Sequence, residues 1–433
     1  MKFINSKFIL PLGFGGLGRL MSNQAALMLQ YGVNAILPIL LVPHVVHSIG
    51  LHEFGLLSIA LSFANYGALV VNYGFKLSAP PKIVQAPSLR EQSEVVRATL
   101  YARLLLAILM LLVIGASVSF LSLIGSAVSP PQVIMLVSLP IATCFNMSWY
   151  LQALEKFGWI ALASVVAVAL ALAIGFGLLD PSNPHASLWA ALALSAGPVL
   201  SGLLTGAIGL RTLVTRTGTL GWHPPWTELK AGWPFFVSQL LAGLYGASGV
   251  IIVGLIAGTS AAGSYSAMER VSTALANGCL LVHTAAYPQL SAHFQNDRRK
   301  YIRHLILVLV VYWLGAATIS LGAIIFWPDV QNYVFGQISP ENGRILASAL
   351  LLIVLMIFGT IYTGYLAIAG RTKELLPLTL KLLILSLIVG VPSVWLWGAA
   401  GWFMTLSLSH IVVGVIGWRE WRRAFTKRAL KAP

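Results

Sequence analysis

Long apolar runs separated by short polar gaps recur twelve times along the chain, at about 22–48, 54–78, 98–122, 131–153, 159–179, 187–210, 232–257, 262–290, 303–326, 345–369, 376–397 and 400–418. Each is close to the roughly 20 residues that a helix needs to cross the hydrocarbon core of a bilayer. The pattern predicts an all-α polytopic membrane protein with about twelve transmembrane helices. The gaps differ in charge. If both termini are cytoplasmic, the inner segments are 1–21, 79–97, 154–158, 211–231, 291–302, 370–375 and 419–433. Of the 27 Lys and Arg, all but Arg270 and Arg344 fall in these segments or at the inner ends of their helices. The positive-inside rule therefore predicts cytoplasmic termini.

Polar residues inside two of the runs keep a helical period. On the second, Ser58, Ser62, Asn65, Asn72 and Lys76 recur at intervals that place them on one face. On the eighth, Ser266, Arg270, Thr273, Asn277 and Thr284 do the same. The two stripes belong to a repeat. Gly50 to Gly55 before the second span matches Gly258 to Gly263 before the eighth at an offset of about 208 residues, and Pro80 and Pro288 follow at the same interval. At that offset Ser58 falls on Ser266, Ser62 on Arg270 and Asn65 on Thr273. Six spans per half is an even number, so both halves enter the membrane in one direction. This predicts two parallel, pseudo-symmetric lobes, 1–218 and 219–433, around a central cavity, an arrangement typical of alternating-access transporters. The bland alternative is that the Ser, Thr and Asn only join helices.

Composition narrows the function. Hydrophobic residues make up 58% of the 433 and charged residues 9%, with a mean hydropathy of +0.85, so a water-facing surface is not available. The formal net charge of +15 is assigned to anionic lipid heads, met by Arg298-Arg299-Lys300 and by the tail from Arg419 to Lys431, and not to nucleic acid. Lys2 and Lys7 precede a Gly-rich stretch with no convincing cleavage site, which reads as an uncleaved cytoplasmic lead-in. Cys144 and Cys279 lie in spans and read as small buried hydrophobes. The longest outer segment, about Trp327 to Arg344, has no room for the domain that membrane glycosyltransferases, polymerases and ligases usually carry. No phosphate-cradling loop, His-Glu-x-x-His helix or Gly-x-Ser-x-Gly turn is present, so catalysis, a cofactor and a metal are not expected.

Charged residues within the spans are the candidate chemistry. Glu269-Arg270 sits about 12 Å inside the eighth span at 1.5 Å per residue. An Arg there costs roughly 2.5–3.5 kcal/mol unless it meets water or a partner. One reading is a structural pair; the other is that Arg270 attracts an anionic substrate while Glu269 couples transport to an ion gradient. Lys76, Arg103 and Lys381 lie about a turn inside the inner ends of their helices, where snorkelling competes with a cationic vestibule. Glu155-Lys156 reads as an interfacial pair or a gate, and His47 as an interfacial group able to titrate. Asn65, Asn72 and Asn277 complete the candidate substrate contacts, with Glu269, Glu155 and His47 as candidates for ion coupling.

Several stretches carry a family likeness. Asn34 to Pro43, Ser48 to Gly55 and Asn72 to Ser78 resemble the opening of the Wzx-type polysaccharide repeat-unit flippases. Trp149-Tyr-Leu-Gln152-Ala-Leu-Glu155, Gly263-Ser-Tyr265-Ser-Ala-Met-Glu269-Arg270 and Ala286-Tyr287-Pro288-Gln-Leu-Ser291 resemble that family's later motifs. The likeness covers most of 23–297. It implies the multidrug/oligosaccharidyl-lipid/polysaccharide transporter fold in a bacterial inner membrane. It also implies an undecaprenyl-pyrophosphate-linked oligosaccharide as substrate, a proton or cation gradient, and a polysaccharide polymerase and chain-length regulator as partners. The chain departs from the pattern at Asn72, where Asp is usual, at His47, where Arg is common, and at Ala153, where Gly is expected. A multidrug antiporter of the same fold, a lipid II flippase and an enzyme polymerising or ligating lipid-linked glycans are the rival readings.

Overall fold

A computed structural model describes residues 14–125, 128–217 and 224–429. The N-terminal residues with Lys2 and Lys7, the expected lobe boundary at 218/219 and Lys431 lie outside the described residues. Among the described residues there are fifteen α-helices and no strand. In chain order they are α1 (Phe14–Asn72), α2 (Phe75–Gln85), α3 (Leu89–Leu123), α4 (Pro130–Phe145), α5 (Ser148–Ala153), α6 (Phe157–Leu178), α7 (Ala186–Thr217) and α8 (Trp226–Ala247), followed by α9 (Gly249–Ala257), α10 (Thr259–Asn296), α11 (Arg298–Ile325), α12 (Trp327–Phe335), α13 (Pro340–Ile368), α14 (Leu375–Trp397) and α15 (Ala399–Ala429).

Nine of the described helices are long and apolar enough to cross a membrane, or ten if α8 and α9 count as one broken span. Two places separate this number from the expected twelve. The stretch Ser22–Gln85 counts once, although 59 residues of α1 as one straight rod would measure about 90 Å, some three bilayer thicknesses. Its direction changes at Gly50, whose φ of 76° and ψ of 165° lie outside the helical region. The other is α10, which carries Glu269 and Arg270 and is not among the helices that pass on apolarity. Large apolar side chains on α3, among them Leu105, Ile108, Leu109 and Leu112, and on α11, among them Ile306, Leu307 and Leu314, face outward. Such a belt is too extensive for water and suits lipid. The chain is a multi-pass membrane protein.

The repeat is visible in the backbone. Gly258, 208 residues after Gly50, has φ 91° and ψ 171°, a conformation that is essentially glycine's alone. The next glycine of each copy packs against the other. A Cβ on Gly55 would overlap the Thr259 carbonyl oxygen and lie 3.1 Å from the Gly263 nitrogen, while one on Gly263 would overlap the Leu51 carbonyl and lie 3.2 Å from the Gly55 nitrogen. His52 Nδ1 and Thr259 Oγ1, 2.7 Å apart, close the contact. Gly55→Ala is expected to force α1 and α10 apart and cost about 1–3 kcal/mol. Gly115→Ala, where nothing lies within 4 Å, is the control, with thermal unfolding in detergent as the measure.

Beneath this contact Phe54, Leu57, Tyr265, Met268, Trp402 and Phe403 form the buried centre. At the same end of the molecule α12 lies across the first pass of α1. The Tyr333 hydroxyl donates to the Ile39 carbonyl at 2.9 Å, and that carbonyl needs a donor because Pro43, four residues on, has no N–H.

A second internal match was not read from the sequence. Lys156 N–H bonds to the Leu151 carbonyl and Arg371 N–H to the Leu366 carbonyl, both at 2.8 Å. In each case a left-handed residue precedes the donor, Glu155 (φ 56°) and Gly370 (φ 69°). These are Schellman ends, on Tyr150-Leu151…Lys156 and Tyr365-Leu366…Arg371. Glycine takes this conformation without strain, and Glu155 holds it at a cost of about 1–2 kcal/mol. Arg371 then ties the chain together. It forms a two-point ion pair with Glu374, both bonds 2.6 Å, and reaches Glu420 on α15 at 2.9 Å. The Glu374 hydrogen bonds, with Glu420 adding to them, raise the Arg371 pKa above the ordinary arginine value.

Candidate functional site: two joined cavities

The stripe predicted on the second pass runs along a cleft between α1 and helices of the second half of the sequence, α8 and α10. Two cavities, of about 600 and 420 Å³, share Asn65 of α1 and Gly246 of α8 as lining residues. The larger is bordered by Asn72, Lys76, Arg103 and Trp149, and the smaller by Ser62, Ser266, Glu269, Arg270, Thr273 and Asn277. Helical periodicity is what brings Asn65 and Asn72 to the first cavity and Ser266, Arg270, Thr273 and Asn277 to the second, whereas Lys76 reaches the first from α2, past the end of α1 at Asn72. Ser58 and Thr284, members of the same stripes, line neither.

Arg270 is half-buried, and its guanidinium lies over the face of Phe54 at 5.5 Å from the ring centroid. No carboxylate pairs with it among the described residues. Glu269 turns toward Tyr265, whose hydroxyl donates to Oε1 at 3.2 Å. The two neighbours therefore make different close contacts while still acting on each other through space, and the guanidinium donors are left open to the cavity.

Arg103 does not snorkel. It is 2% exposed, and Nη1 donates to the carbonyls of Thr143 (3.2 Å) and Asn146 (2.6 Å) while Nη2 donates to Asn72 Oδ1 (2.9 Å). The reason lies in α4, which ends at Phe145 before α5 resumes at Ser148. That break leaves carbonyls without helical donors, and the planar fork of an Arg can serve several at once. The guanidinium also stands 5.3 Å from the Trp149 ring centroid. Because Arg103 can only donate, Asn72 must turn its oxygen to it, leaving the amide nitrogen to donate to Gln239 Oε1 of α8 at 3.0 Å. An aspartate at position 72 would have no hydrogen to give in that direction.

Lys76 is exposed to the larger cavity with no hydrogen-bond or ion-pair partner among the described residues. Three other candidates lie elsewhere. Lys381 is exposed on α14, and Glu155 is exposed after α5. The pairing expected of Glu155 with Lys156 is replaced by a contact of Lys156 Nζ with Thr212 Oγ1 at 3.5 Å. His47 is exposed, with Nδ1 2.7 Å from the Pro43 carbonyl. None of the three lines either cavity.

Tyr31 and Asn34 line the smaller cavity and were not singled out from the sequence. A signal existed: Pro38, four residues after Asn34, denies that carbonyl its helical donor and marks the face as polar. Trp149 and Asn146 were missed as cavity residues because the break between α4 and α5 carries no proline or glycine. The larger cavity has two cations and no carboxylate in its lining, and the smaller has one of each. No group of three His, Cys, Asp or Glu among the described residues is placed to hold a metal. Chemically the arrangement suits a polar anion.

A sequence profile of polysaccharide biosynthesis proteins matches residues 20–294, a stretch that contains every residue lining the two cavities. The chain belongs to that family. A protein of Shigella dysenteriae named "Putative O-antigen transporter" is 23% identical over 392 residues, covering 90% of this chain and 97% of its own. A protein of the same name from Escherichia coli (strain K12) is 24% identical over 281 residues, 64% of this chain and 66% of its own. Among solved structures, the lipid II flippase MurJ in an inward closed conformation superposes with a TM-score of 0.63 at 14% identity, covering 93% of this chain and 87% of that one. An inward-facing multidrug resistance MATE family transporter of the MOP superfamily gives 0.55 at 15% identity, covering 95% and 99%. The fold of this polysaccharide biosynthesis protein is that of the MATE and MurJ transporters.

Proposed function

We propose that the chain is a flippase, and not an enzyme, which carries an undecaprenyl-pyrophosphate-linked oligosaccharide unit from the cytoplasmic to the periplasmic leaflet of a bacterial inner membrane. The observation that carries this reading is the pair of joined cavities with three cations and a single carboxylate, built from residues inside the family match. The names of the O-antigen transporter relatives and of the lipid II flippase neighbour agree with such a cargo. Together the two cavities reach the upper end of the roughly 300–1,000 Å³ typical of small-ligand sites.

In this reading residues 1–218 and 219–433 are two lobes that rock about the cavities, with both termini cytoplasmic, in keeping with the basic loops. A pyrophosphate and several sugars cannot cross hydrocarbon unaided, whereas the polyprenyl tail can stay in lipid. Lys76 and Arg270 attract the pyrophosphate, while Asn65, Asn72 and Asn277 meet sugar hydroxyls. Arg103 acts by holding Asn72 in place. Glu269 is the titratable group through which a proton or cation gradient drives the cycle. The delivered unit passes to a polymerase and its chain-length regulator.

Deleting the chain from its host tests the proposal. Single lipid-linked units should accumulate on the cytoplasmic leaflet and clear when the wild-type copy is restored. An unchanged leaflet distribution would move the weight to a small-molecule antiporter. Single units accumulating on the outer face would indicate a polymerising or ligating enzyme.

A further inference from the structure

The second pass of α1 ends abruptly. Tyr73 (φ 46°) and Gly74 (φ 78°) are consecutive left-handed residues, and the chain restarts in a new direction as α2. At the repeat offset the equivalent positions, Leu281 and Val282, lie inside the unbroken helix α10. The break therefore belongs to one half only. Tyrosine adopts this backbone at a cost, and such strain persists only where the surroundings hold it.

What holds it is α8. The Tyr73 ring stacks on Phe236, centroids 4.7 Å apart and planes 11° from parallel. A Cβ on Gly232 would come 3.0 Å from the Tyr73 ring, and one on Gly74 would come 2.5 Å from Phe235 Cβ. Beyond this seat α2 is fastened a second time. Lys82 Nζ lies 2.9 and 2.7 Å from the two carboxylate oxygens of Glu228. Glu228 is only 6% exposed and stands in the first turn of α8, where the helix dipole favours a negative charge. Asn72, the last residue of α1, donates to Gln239 of α8 just before the break, while Phe75, Ala79 and Ile83 bury the other side of α2 against α3, α5 and α7.

Lys76 and Lys82 share this short helix, one bordering the larger cavity and the other in the ion pair. We propose that α2 is a hinged arm, that Tyr73-Gly74 is its hinge, and that the Lys82–Glu228 pair is the latch closing the α2–α8 end of the cavity. When the latch opens, the arm carries Lys76 outward with it, so the cavity loses a cation as it gains an entrance. Lys82 is thus a positioning residue for the cargo site. The physiological meaning of the arm rests on the transporter reading; its motion does not.

The test uses the full-length chain in detergent, in a Cys144→Ser, Cys279→Ser background with Ala68→Cys as a reporter in the larger cavity. The reading is its rate of labelling by a small membrane-impermeant maleimide. Lys82→Glu should speed labelling by about tenfold or more, because it removes a buried charge's partner. The milder Glu228→Gln, which keeps size and hydrogen bonding, should speed it less, and serves if Lys82→Glu does not fold. The double swap Lys82→Glu/Glu228→Lys should return the rate most of the way to that of the parent, the reversed charge in the first turn of α8 withholding the rest. Unchanged labelling in both single variants, or a double swap as fast as Lys82→Glu, would overturn the latch. Unlatched labelling in a chain that moves no glycolipid would keep the arm and sink the transporter reading. Unchanged labelling in a chain that does move it would do the reverse.

Discussion

Arg270→Ala should lower export of the lipid-linked glycan by about a hundredfold, the size of effect expected when a desolvated charge contact worth roughly 2–5 kcal/mol is removed. The guanidinium borders the smaller cavity over the ring of Phe54, with no ion pair at contact distance among the described residues and with the adjacent Glu269 carboxylate acting on it through space. With no hydrogen bond to a carboxylate, its donors remain open to a ligand in the cavity. Arg270→Lys should keep part of the activity, because an ammonium supplies the charge but not the planar fork. Surface polysaccharide in cells lacking the native copy, with expression of the variants matched, is the measure. Full export by a well-expressed Arg270→Ala chain would remove Arg270 from the path.

Arg103→Met should act in another way, on stability first. It withdraws the donors that serve the Thr143 and Asn146 carbonyls and Asn72 Oδ1 on the partly buried wall of the larger cavity. Each buried acceptor left without a partner costs about 1–3 kcal/mol; at the break between α4 and α5 the Asn146 carbonyl keeps the Trp149 indole N–H at 3.1 Å, so the Thr143 carbonyl and Asn72 Oδ1 lose most. A loss of about 2–4 kcal/mol is expected. It should appear as a lower unfolding midpoint in detergent, together with a loosened contact between Asn72 and Gln239. Arg103→Lys should recover only part of the loss, since one ammonium cannot reach three acceptors in fixed directions. An unchanged midpoint in Arg103→Met would mean that the carbonyls find other donors.

The contrast between these two arginines shows where sequence reasoning reached and where it stopped. Periodicity placed Ser62, Asn65, Asn72, Arg270, Thr273 and Asn277 on shared faces, because a helix turns at a fixed rate whatever surrounds it; Lys76, expected on the same face, comes to the larger cavity from α2 instead, beyond the break at Tyr73-Gly74. The glycine repeat was legible for a similar reason, since Gly50 and Gly258 need conformations that few other residues take. Arg103 looked like any cation near a helix end. Its burial depends on a break in a different helix, which no local pattern marks. Tyr73 offered no warning either, because its left-handed conformation is imposed by Gly232, Phe235 and Phe236 from far along the chain. Lys381, Glu155 and His47 were chosen as charged or titratable groups near span ends, and such groups have no reason to face a cavity unless the packing turns them there.

The glycine contact and the α2 latch also give the cavities a mechanical setting. Gly55 and Asn72 lie on one stretch of α1, 17 residues or about 25 Å apart. The first touches α10 and the second touches α8, with Asn65 between them in both cavities. Alternating access needs one of these closures to yield while the other holds.

The most direct test of the central claim is reconstitution. The purified chain would be placed in liposomes with a fluorescent undecaprenyl-pyrophosphate-linked oligosaccharide, and the fraction reaching the opposite leaflet read by its exposure to an impermeant quencher. Transfer well above that of protein-free liposomes, abolished by Arg270→Ala, is the predicted result. Transfer no faster than in protein-free liposomes, from a folded chain given a proton or sodium gradient of either sign, would contradict it.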